Sequence, residues 1–434
     1  MNARRPTTLF LYTLGCKVNW CDSETLAAEA ERRGWERVAD VRAAAVAVVN
    51  TCTVTTHADA TARKLIRQIR RRRPDLYLAV VGCYARANAA ALDAMPEVDL
   101  TLPTHDAATI MTRLDRWRDT QGKVPNLRTC EHADFSSSEL PEPGRPFERT
   151  RRFIKVQDGC ARFCAYCRVP LARGAPRSVP LADVQDAVRR AADEGYREIV
   201  LTGIHLAGYR SGDLDVAGLA ERILALDLVP RVRISSLDAM AIDERLLALL
   251  ADAPALMPHL HVPLQSGSET VLRRMRRATS SAMFETAVTR VLRCHPLAAV
   301  STDIMVGFPG ERAADFAATL ALVDRVPFLK VHMFRFSPRP GTAAARMHDD
   351  FVAPIVARER EDELREHAAA AAERCRAQFA GATMHVLLEH EQDGEWEGLA
   401  ENYLRVGSRQ PGLTPGMIVA LNMAESHNRF LPLV

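Results

Sequence analysis

Eight β-rich runs, each leading into a loop rich in Gly, Ser, Pro or Cys, limit what this chain can become. LFLYTLGC, AAAVAVVNTCTV and LYLAVVGCYA fall within residues 1–125; REIVLTGIHLAGY, RVRISSLDAM, HLHVPLQSGSE, AVSTDIMVGFPGE and LKVHMFRFSPRPGT fall within 149–377. Helical stretches such as SETLAAEAERRGW separate most of them, with Gly34 placed to end that helix. Apolar strands poor in charge belong in parallel sheets covered on both faces, and alternation with helices builds right-handed βα units. The predicted class is therefore α/β, with a doubly wound parallel sheet over residues 1–125. Residues 149–377 predict βα units closed or partly closed as a barrel. In both layouts ligands gather at the carboxyl ends of the strands. Residues 126–148, with CEHADFSSSELPEPGRP, read as a linker in which Cys130 is incidental. From 380 to 434 the rhythm stops. HVLLEHEQDGEWEGLAENYLRV carries an Asp-Gly hairpin signal and PGMIVALNMAESHNRFLPLV adds strands, so a small β module closes the chain.

The cysteines sit where those layouts put function. Cys16, Cys52 and Cys83 end three strand runs, in LGC, NTC and VGC. They are either ordinary core cysteines or ligands of one shared metal site. Cys160, Cys164 and Cys167 follow the strand RFIKVQ in DGCARFCAYCRVPLARG, with the spacing C-x3-C-x2-C. With independent positions that pattern arises by chance about once in two hundred such chains. A [4Fe–4S] cluster normally takes four thiolates, so three close-set ligands leave one iron open to a substrate or cofactor. Zinc with a distant fourth ligand is the rival, but zinc knuckles use a second pair, and only single cysteines follow, at Cys294 and Cys375. Arg173 and Arg177, just after the triplet, are candidates for a carboxylate or phosphate.

The triplet, with Tyr166 just before its last cysteine, resembles the radical S-adenosylmethionine superfamily. That resemblance implies a partial (β/α)6 barrel and an open iron that chelates S-adenosylmethionine, which one electron cleaves to a 5′-deoxyadenosyl radical. The cofactor contacts it implies fall on strand-end loops: Thr202 and Gly203, without the usual acidic end of that motif; Ser235, Ser236 and Asp238; and Gln265, in a Gln-Ser-Gly-Ser run. Gly307 to Glu311 reads either as a cofactor-side motif or as a tight turn. His259 and His261 share one strand face and read as core or supporting histidines.

TLGCKVNWCDSE, VVNTCTVT and VVGCYA resemble the N-terminal domain of the methylthiotransferases. There the cysteines matching Cys16, Cys52 and Cys83 hold a second [4Fe–4S] cluster, whose open iron is implied to carry sulfide or methylsulfide. The terminal β module is similar to the TRAM domain, a small RNA-binding β-barrel, with Tyr403 and Arg405 as its RNA contacts. Lys17 and Val18, in LGCKVN with DSE nearby, resemble the branch acting on N6-threonylcarbamoyladenosine at position 37, next to the tRNA anticodon. The alternatives are the isopentenyladenosine branch and the branch acting on a ribosomal protein side chain. The implied reaction replaces C2–H of adenine by C2–S–CH3. It uses two clusters, S-adenosylmethionine as methyl donor and radical source, and a reductant such as flavodoxin or ferredoxin.

Composition agrees with an enzyme of this kind. At 434 residues, 47% hydrophobic and 26% charged, the chain suits two or three globular domains. Charged residues interrupt every apolar run before it reaches membrane-span length, and the short alternating start is not that of a signal peptide. A cytoplasmic protein without a membrane partner is expected, and its 10 cysteines are no disulfide scaffold. Net charge is only +3, which excludes a general polyanion binder. The terminal module has seven acidic residues against three arginines, a poor phosphate surface. The candidate RNA surface is ARKLIRQIRRRRPD, where Arg63, Lys64, Arg67 and Arg70 lead a run without internal acids, and 63, 67 and 70 share a helix face. The rival reading is a solvated helix face.

Overall fold

The computed structural model describes residues 7–120 and 150–431; the expected linker at 126–148, with Cys130, lies outside them. The described chain packs as two units. One holds the chain up to residue 120 together with Asp158–Arg162 and Cys167–Ala187; the other holds 150–157, Phe163–Tyr166 and the chain from Val188 onward.

In the first unit β1 (Thr8–Thr13), β2 (Glu36–Arg37), β3 (Val46–Thr51), β4 (Tyr77–Gly82) and β5 (Leu100–Thr101) form a sheet in the order β2-β1-β3-β4-β5, parallel throughout. The helices are α1 (Lys17–Arg32), α2 (Thr56–Arg72), α3 (Cys83–Ala87), α4 (Ala89–Asp93) and α5 (Ala107–Thr120). β3 and β4 are buried at every residue, as strands walled on both faces must be. Leu26 of α1 and Ile110, Met111 and Leu114 of α5 pack on Val46, Val48 and Ala79. Ala62, Ile66 and Ile69 of α2 and Leu92 of α4 pack on Ala47, Val49 and Val80 opposite. The sheet is thus doubly wound, and its order reverses between β1 and β3. There the following helices leave on opposite faces and open a crevice at the carboxyl ends. α1 begins at Lys17, six residues before the predicted start at Ser23. The added turns bury Asn19 and Asp22, polar residues that a hydrophobic period does not register.

The central part begins with β6 (Arg151–Asp158), α6 (Val169–Arg173), β7 (Arg177–Ser178) and α7 (Leu181–Asp193). Within the second unit, β6 pairs in parallel with β8 (Glu198–Gly203), and β8 with β9 (Arg231–Ile234). β10 (His259–His261), β11 (Ala299–Val306) and β12 (Lys330–Arg335) form a second parallel set. A Ser236–His261 bridge joins the two sets into a partial six-stranded barrel. Helices α8 (Val216–Leu224), α9 (Glu244–Asp252), α10 (Glu269–Arg274), α11 (Ser281–Cys294) and α12 (Ala313–Arg325) alternate with these strands, and α13 (Pro354–Ala377) follows.

The chain ends in a curled antiparallel sheet of β13 (Thr383–Gln392), β14 (Glu395–Ala400), β15 (Arg405–Ser408), β16 (Ile418–Asn422) and β17 (Asn428–Phe430), ordered β16-β13-β14-β15-β17. The predicted hairpin turn is present, with positive φ at Asp393 (53°) and Gly394 (74°). This module shares a core with the barrel, Met384, Val386 and Leu404 packing with Ala299 and Leu329. Arg231 donates to the main-chain oxygens of Leu399 (3.1 Å) and His385, and Arg233 to that of Glu401 (3.1 Å). Both also pair with Glu198, whose side chain is 0% exposed. Tyr403 stacks on His259 with 4.7 Å between ring centroids and lies 4.8 Å from the Arg233 guanidinium, while Arg405 pairs with Glu397. Both residues expected to contact RNA are therefore engaged within the protein.

Burial opposes ionisation of Glu198, but Arg233, Arg151 and Arg231 outweigh it and hold its pKa below the ordinary glutamate value. Glu198→Gln leaves two buried guanidinium groups without their counter-charge. It is expected to cost about 3–5 kcal/mol in denaturant unfolding at neutral pH. A depressed carboxyl stabilises the fold above its unfolded pKa, about 4.3, and loses that contribution as pH falls through its folded value. The gap between wild type and Glu198→Gln should therefore narrow in acid.

Candidate functional site

Three cysteines close three neighbouring strands of the first unit. Cys16 caps α1 two residues beyond β1's following turn residue Leu14, Cys52 directly follows β3, and Cys83 directly follows β4. Cys16 is exposed; Cys52 and Cys83 are buried. Gly15, at φ +100°, makes the close approach possible, since a Cβ there would lie 2.6 Å from the Cβ of Cys52. Gly82, at φ +91°, has no room for a Cβ beside Asn50.

Buried polar side chains support these strand ends. Asn19 donates to the main-chain oxygens of Leu14 (2.7 Å) and Thr51 (3.0 Å), and its own main-chain oxygen accepts from Asn50 (2.9 Å). The Asn19 amide oxygen faces the Cys83 sulfur at 3.7 Å and also accepts from Arg173. Arg173, with a side chain 1% exposed, reaches Asp22 at 2.8 Å and both oxygens of Asp158 at 3.1 Å. That corrects the expectation of a cofactor or phosphate contact, because its donors are used inside the protein. Arg177 donates to the main-chain oxygens of Ala175 and Arg173, both at 3.3 Å. His105 lies between Asp22 (Nδ1, 3.5 Å) and the Cys83 sulfur (Nε2, 3.9 Å). Burial pushes the Cys83 thiol up to about 12 and raises that of Cys52, in both cases against the Arg173 charge. A metal held by these thiols would have to displace their protons.

Among the described residues no three His, Cys, Asp or Glu side chains already stand in ion-binding arrangement. What suits an iron–sulfur cluster at Cys16, Cys52 and Cys83 is the donor chemistry: three thiols at adjacent strand ends, one buried against a glycine.

Cys160, Cys164 and Cys167 lie in the irregular loop after β6. The Cys160 amide donates to Gly174 O at 3.1 Å. Ala165 and Tyr166 pack with Val271, Met275, Phe308 and Ala344. Next to Cys164 stands Arg277, whose buried Nε finds no acceptor among the described residues. A buried guanidinium within hydrogen-bonding range of a thiol suits an anionic group bound there.

The expected cofactor loops are at strand ends, but their side chains are partly occupied. Thr202 and Ser235 are buried and share a hydrogen bond of 3.2 Å. Gly203 permits close packing on Gln157, 3.0 Å from where its Cβ would be. Gln265 extends the β11 pairing through its backbone at φ +81°. Asp238 accepts from Thr279 (2.7 Å) and Arg277 (3.5 Å), one on each oxygen, and so braces an arginine at the strand end. Glu311 closes the Gly-Phe-Pro-Gly turn by accepting from the Gly307 amide (2.5 Å) and Arg360 (2.8 Å). His259 and His261 bond Ser301 at 3.0 and 3.1 Å, and His261 also meets Asp303 at 3.2 Å.

On the basic helix, Arg70 is turned toward the protein. It bonds the main-chain oxygens of Glu97, Pro74 and Leu76 and pairs with Asp99, which fixes α2 to the sheet edge. Arg63 donates to the Tyr84 hydroxyl at 2.8 Å and Arg67 meets Glu97 at 3.6 Å; Lys64, Arg71 and Arg72 remain exposed. Sequence reading gave no role to Asn19, Asp22, His105 or Arg277. The only signal for the first two was polar residues three apart on a helix face that otherwise packs.

Residues 8–103 match the model of an uncharacterized protein family, UPF0004, and 154–323 that of the radical SAM superfamily. The threonylcarbamoyladenosine tRNA methylthiotransferase MtaB of Bacillus subtilis (strain 168) is 35% identical over 92% of this chain and 90% of its own. The tRNA-2-methylthio-N(6)-dimethylallyladenosine synthase of Acidothermus cellulolyticus is 34% identical over 81% and 72%. A solved structure of the radical S-adenosylmethionine methyltransferase TsrM from Kitasatospora setae aligns with TM-score 0.56 at 17% identity, over 78% of this chain and 77% of that one, a likeness of fold.

Arg173→Met leaves Asp22 and Asp158 without their shared cation and should cost about 3–5 kcal/mol in chemical denaturation. Adding Asp22→Asn should recover part of that loss, because it removes one orphaned charge.

Proposed function

The chain belongs to the radical S-adenosylmethionine tRNA methylthiotransferases, and we propose that its substrate is N6-threonylcarbamoyladenosine next to the anticodon, converted to the 2-methylthio derivative. The observation that carries this reading is the presence in one chain of thiols closing β1, β3 and β4 and of a C-x3-C-x2-C loop after β6. Cys160, Cys164 and Cys167 would hold the cluster that binds S-adenosylmethionine, and Cys16, Cys52 and Cys83 a second. When bound, the first group supplies the radical that takes hydrogen from C2 of adenine, and the second presents the sulfur to be transferred.

The chain's own residues set the stage for this. Gly15 and Gly82 let the strand ends approach, and Asn19 ties them to one another. Arg173 keeps a positive charge among thiols that must become thiolates. Thr202, Ser235 and Gln265 place backbone and hydroxyl groups at the strand ends where the cofactor would lie. Lys64, Arg67, Arg71 and Arg72 are the exposed cations of α2 for the anticodon arm. A reductant such as flavodoxin or ferredoxin would supply electrons. Among the described residues no helix is long and apolar enough to cross a membrane, and a tRNA substrate would put the reaction in the cytoplasm.

Anaerobically purified protein should carry about eight irons per chain, falling to about four when either cysteine triplet is changed to alanine. A colourless, zinc-loaded protein would refute both clusters. Nucleoside mass spectrometry of tRNA from cells with and without the gene tests the substrate. Loss of 2-methylthio-N6-threonylcarbamoyladenosine with accumulation of its precursor is expected. Loss of the isopentenyladenosine derivative alone would move the enzyme to that branch, and no change in either would point to a protein substrate.

A further inference from the structure

The turn Met275–Arg276–Arg277 belongs to no motif singled out in the sequence, yet it is bound to the cysteine loop. Met275 O accepts from the Ala165 amide at 2.9 Å, and its side chain packs on Ala165 and Tyr166. Arg276 then takes φ +57°, a left-handed backbone that a non-glycine residue adopts only at a cost. The turn directs Arg277 inward, leaving its side chain 8% exposed. One guanidinium nitrogen donates to Pro263 O at 3.0 Å and reaches Asp238 at 3.5 Å, with Asp238 itself fixed by Thr279. Nε has no acceptor among the described residues. Burial opposes the Arg277 charge, but Tyr166, Asp238 and the Cys164 sulfur, within hydrogen-bonding range, raise its pKa above the ordinary arginine value.

A strained turn and a buried, braced guanidinium held within hydrogen-bonding range of one cysteine of the triplet need a common explanation. We propose that Arg277 is a positioning residue for the S-adenosylmethionine-binding cluster, donating to the Cys164 sulfur once it ligates iron and thereby raising the cluster's reduction potential. The inference rests on Cys160, Cys164 and Cys167 holding that cluster. Hydrogen bonds to ligand sulfur, and positive charge near it, favour the reduced and more negative state. Arginine keeps its charge at every working pH, so the effect is constant. Asp238, braced by Thr279, fixes the fork, and Pro263 O holds its other side.

The test is a redox titration followed by electron paramagnetic resonance, in the full chain with Cys16, Cys52 and Cys83 changed to alanine so that one cluster remains. At the potential that half-reduces this parent, Arg277→Gln should lower the reduced-to-oxidised ratio about tenfold, equivalent to 59 mV for one electron. Arg277→Lys should fall between the two. A role confined to packing would lower the unfolding temperature and leave the ratio alone, so an iron-loaded variant with the parent's ratio overturns the proposal. Should Arg277→Gln take up no iron, Arg277→Lys and Asp238→Asn read the same ratio. Failure of Arg277→Lys to load while unfolding at the parent's temperature would show the same dependence in its extreme form. A parent without iron would overturn the cluster reading itself, a result separable from an unchanged ratio.

Discussion

A guanidinium with no access to water orders the cysteine edge of the first unit. Arg173 is shared by Asp22, Asp158 and Asn19, and Asn19 carries that order to the ends of β1 and β3 through Leu14 O and Thr51 O. The positions of Cys16 and Cys52 are consequences of this polar framework more than of contacts made by the thiols. A buried charge is costly unless fully paired, and once paired it fixes geometry because alternatives leave it unpaired. The framework is made of the chain's own side chains and main-chain oxygens. What remains for assembly is to remove protons from thiols that burial has made weak acids.

The same device recurs through the chain, which has five lysines against fifty-two arginines. Arg70, Arg231, Arg233 and Arg360 all direct planar forks at main-chain oxygens or buried carboxylates. A lysine offers a compact, strongly hydrated charge and cannot match two acceptors in one plane. Arginine-rich segments here are therefore ambiguous in sequence. ARKLIRQIRRRRPD has the composition of a phosphate-binding helix, but Arg70 faces the protein because Asp99 and three main-chain oxygens lie on that side. The acid that pairs with Arg70 is remote in sequence, at 99, while the run's own acid, Asp75, pairs with Arg73.

This separates what the sequence made legible from what it did not. β3 and β4 were readable because strands buried on both faces have no choice but to be apolar, and the Asp-Gly turn because few residues accept positive φ. The alternation of strands and helices likewise limited the topology to parallel units. The start of α1 was not readable: its first turns bury Asn19, Asp22 and Ser23, whose partners come from β1, β3 and beyond. Asp238 sits at a strand end, as expected for a ligand-facing residue, but its function depends on Arg277 and Thr279, some forty residues later. Arg277 itself has no local signature. Its meaning comes from the contact of Met275 with Ala165, which only the folded chain supplies.

The way the terminal module is attached bears on where an RNA could bind. Arg231 and Arg233 hold it through main-chain oxygens of residues 385, 399 and 401, groups present whatever side chains the module carries. Side chains add to this, with Met384, Val386 and Leu404 in the shared core, Tyr403 on His259 and Glu389 paired with Arg151 at 3.0 Å. The acidic residues Glu391 and Asp393 are exposed at the hairpin, away from these attachments, and an RNA-binding role is not needed to explain why the module stays in place. Phosphate repels such a surface, and the aromatic that would offer a base a stacking partner, Tyr403, is already stacked on His259. On the proposed reading, affinity for an anticodon arm would come from cations that the fold leaves outside, such as the exposed Lys64, Arg71 and Arg72 on α2. A patch this small binds weakly by charge alone, so discrimination among RNAs falls to the shape of the loop that delivers its adenine.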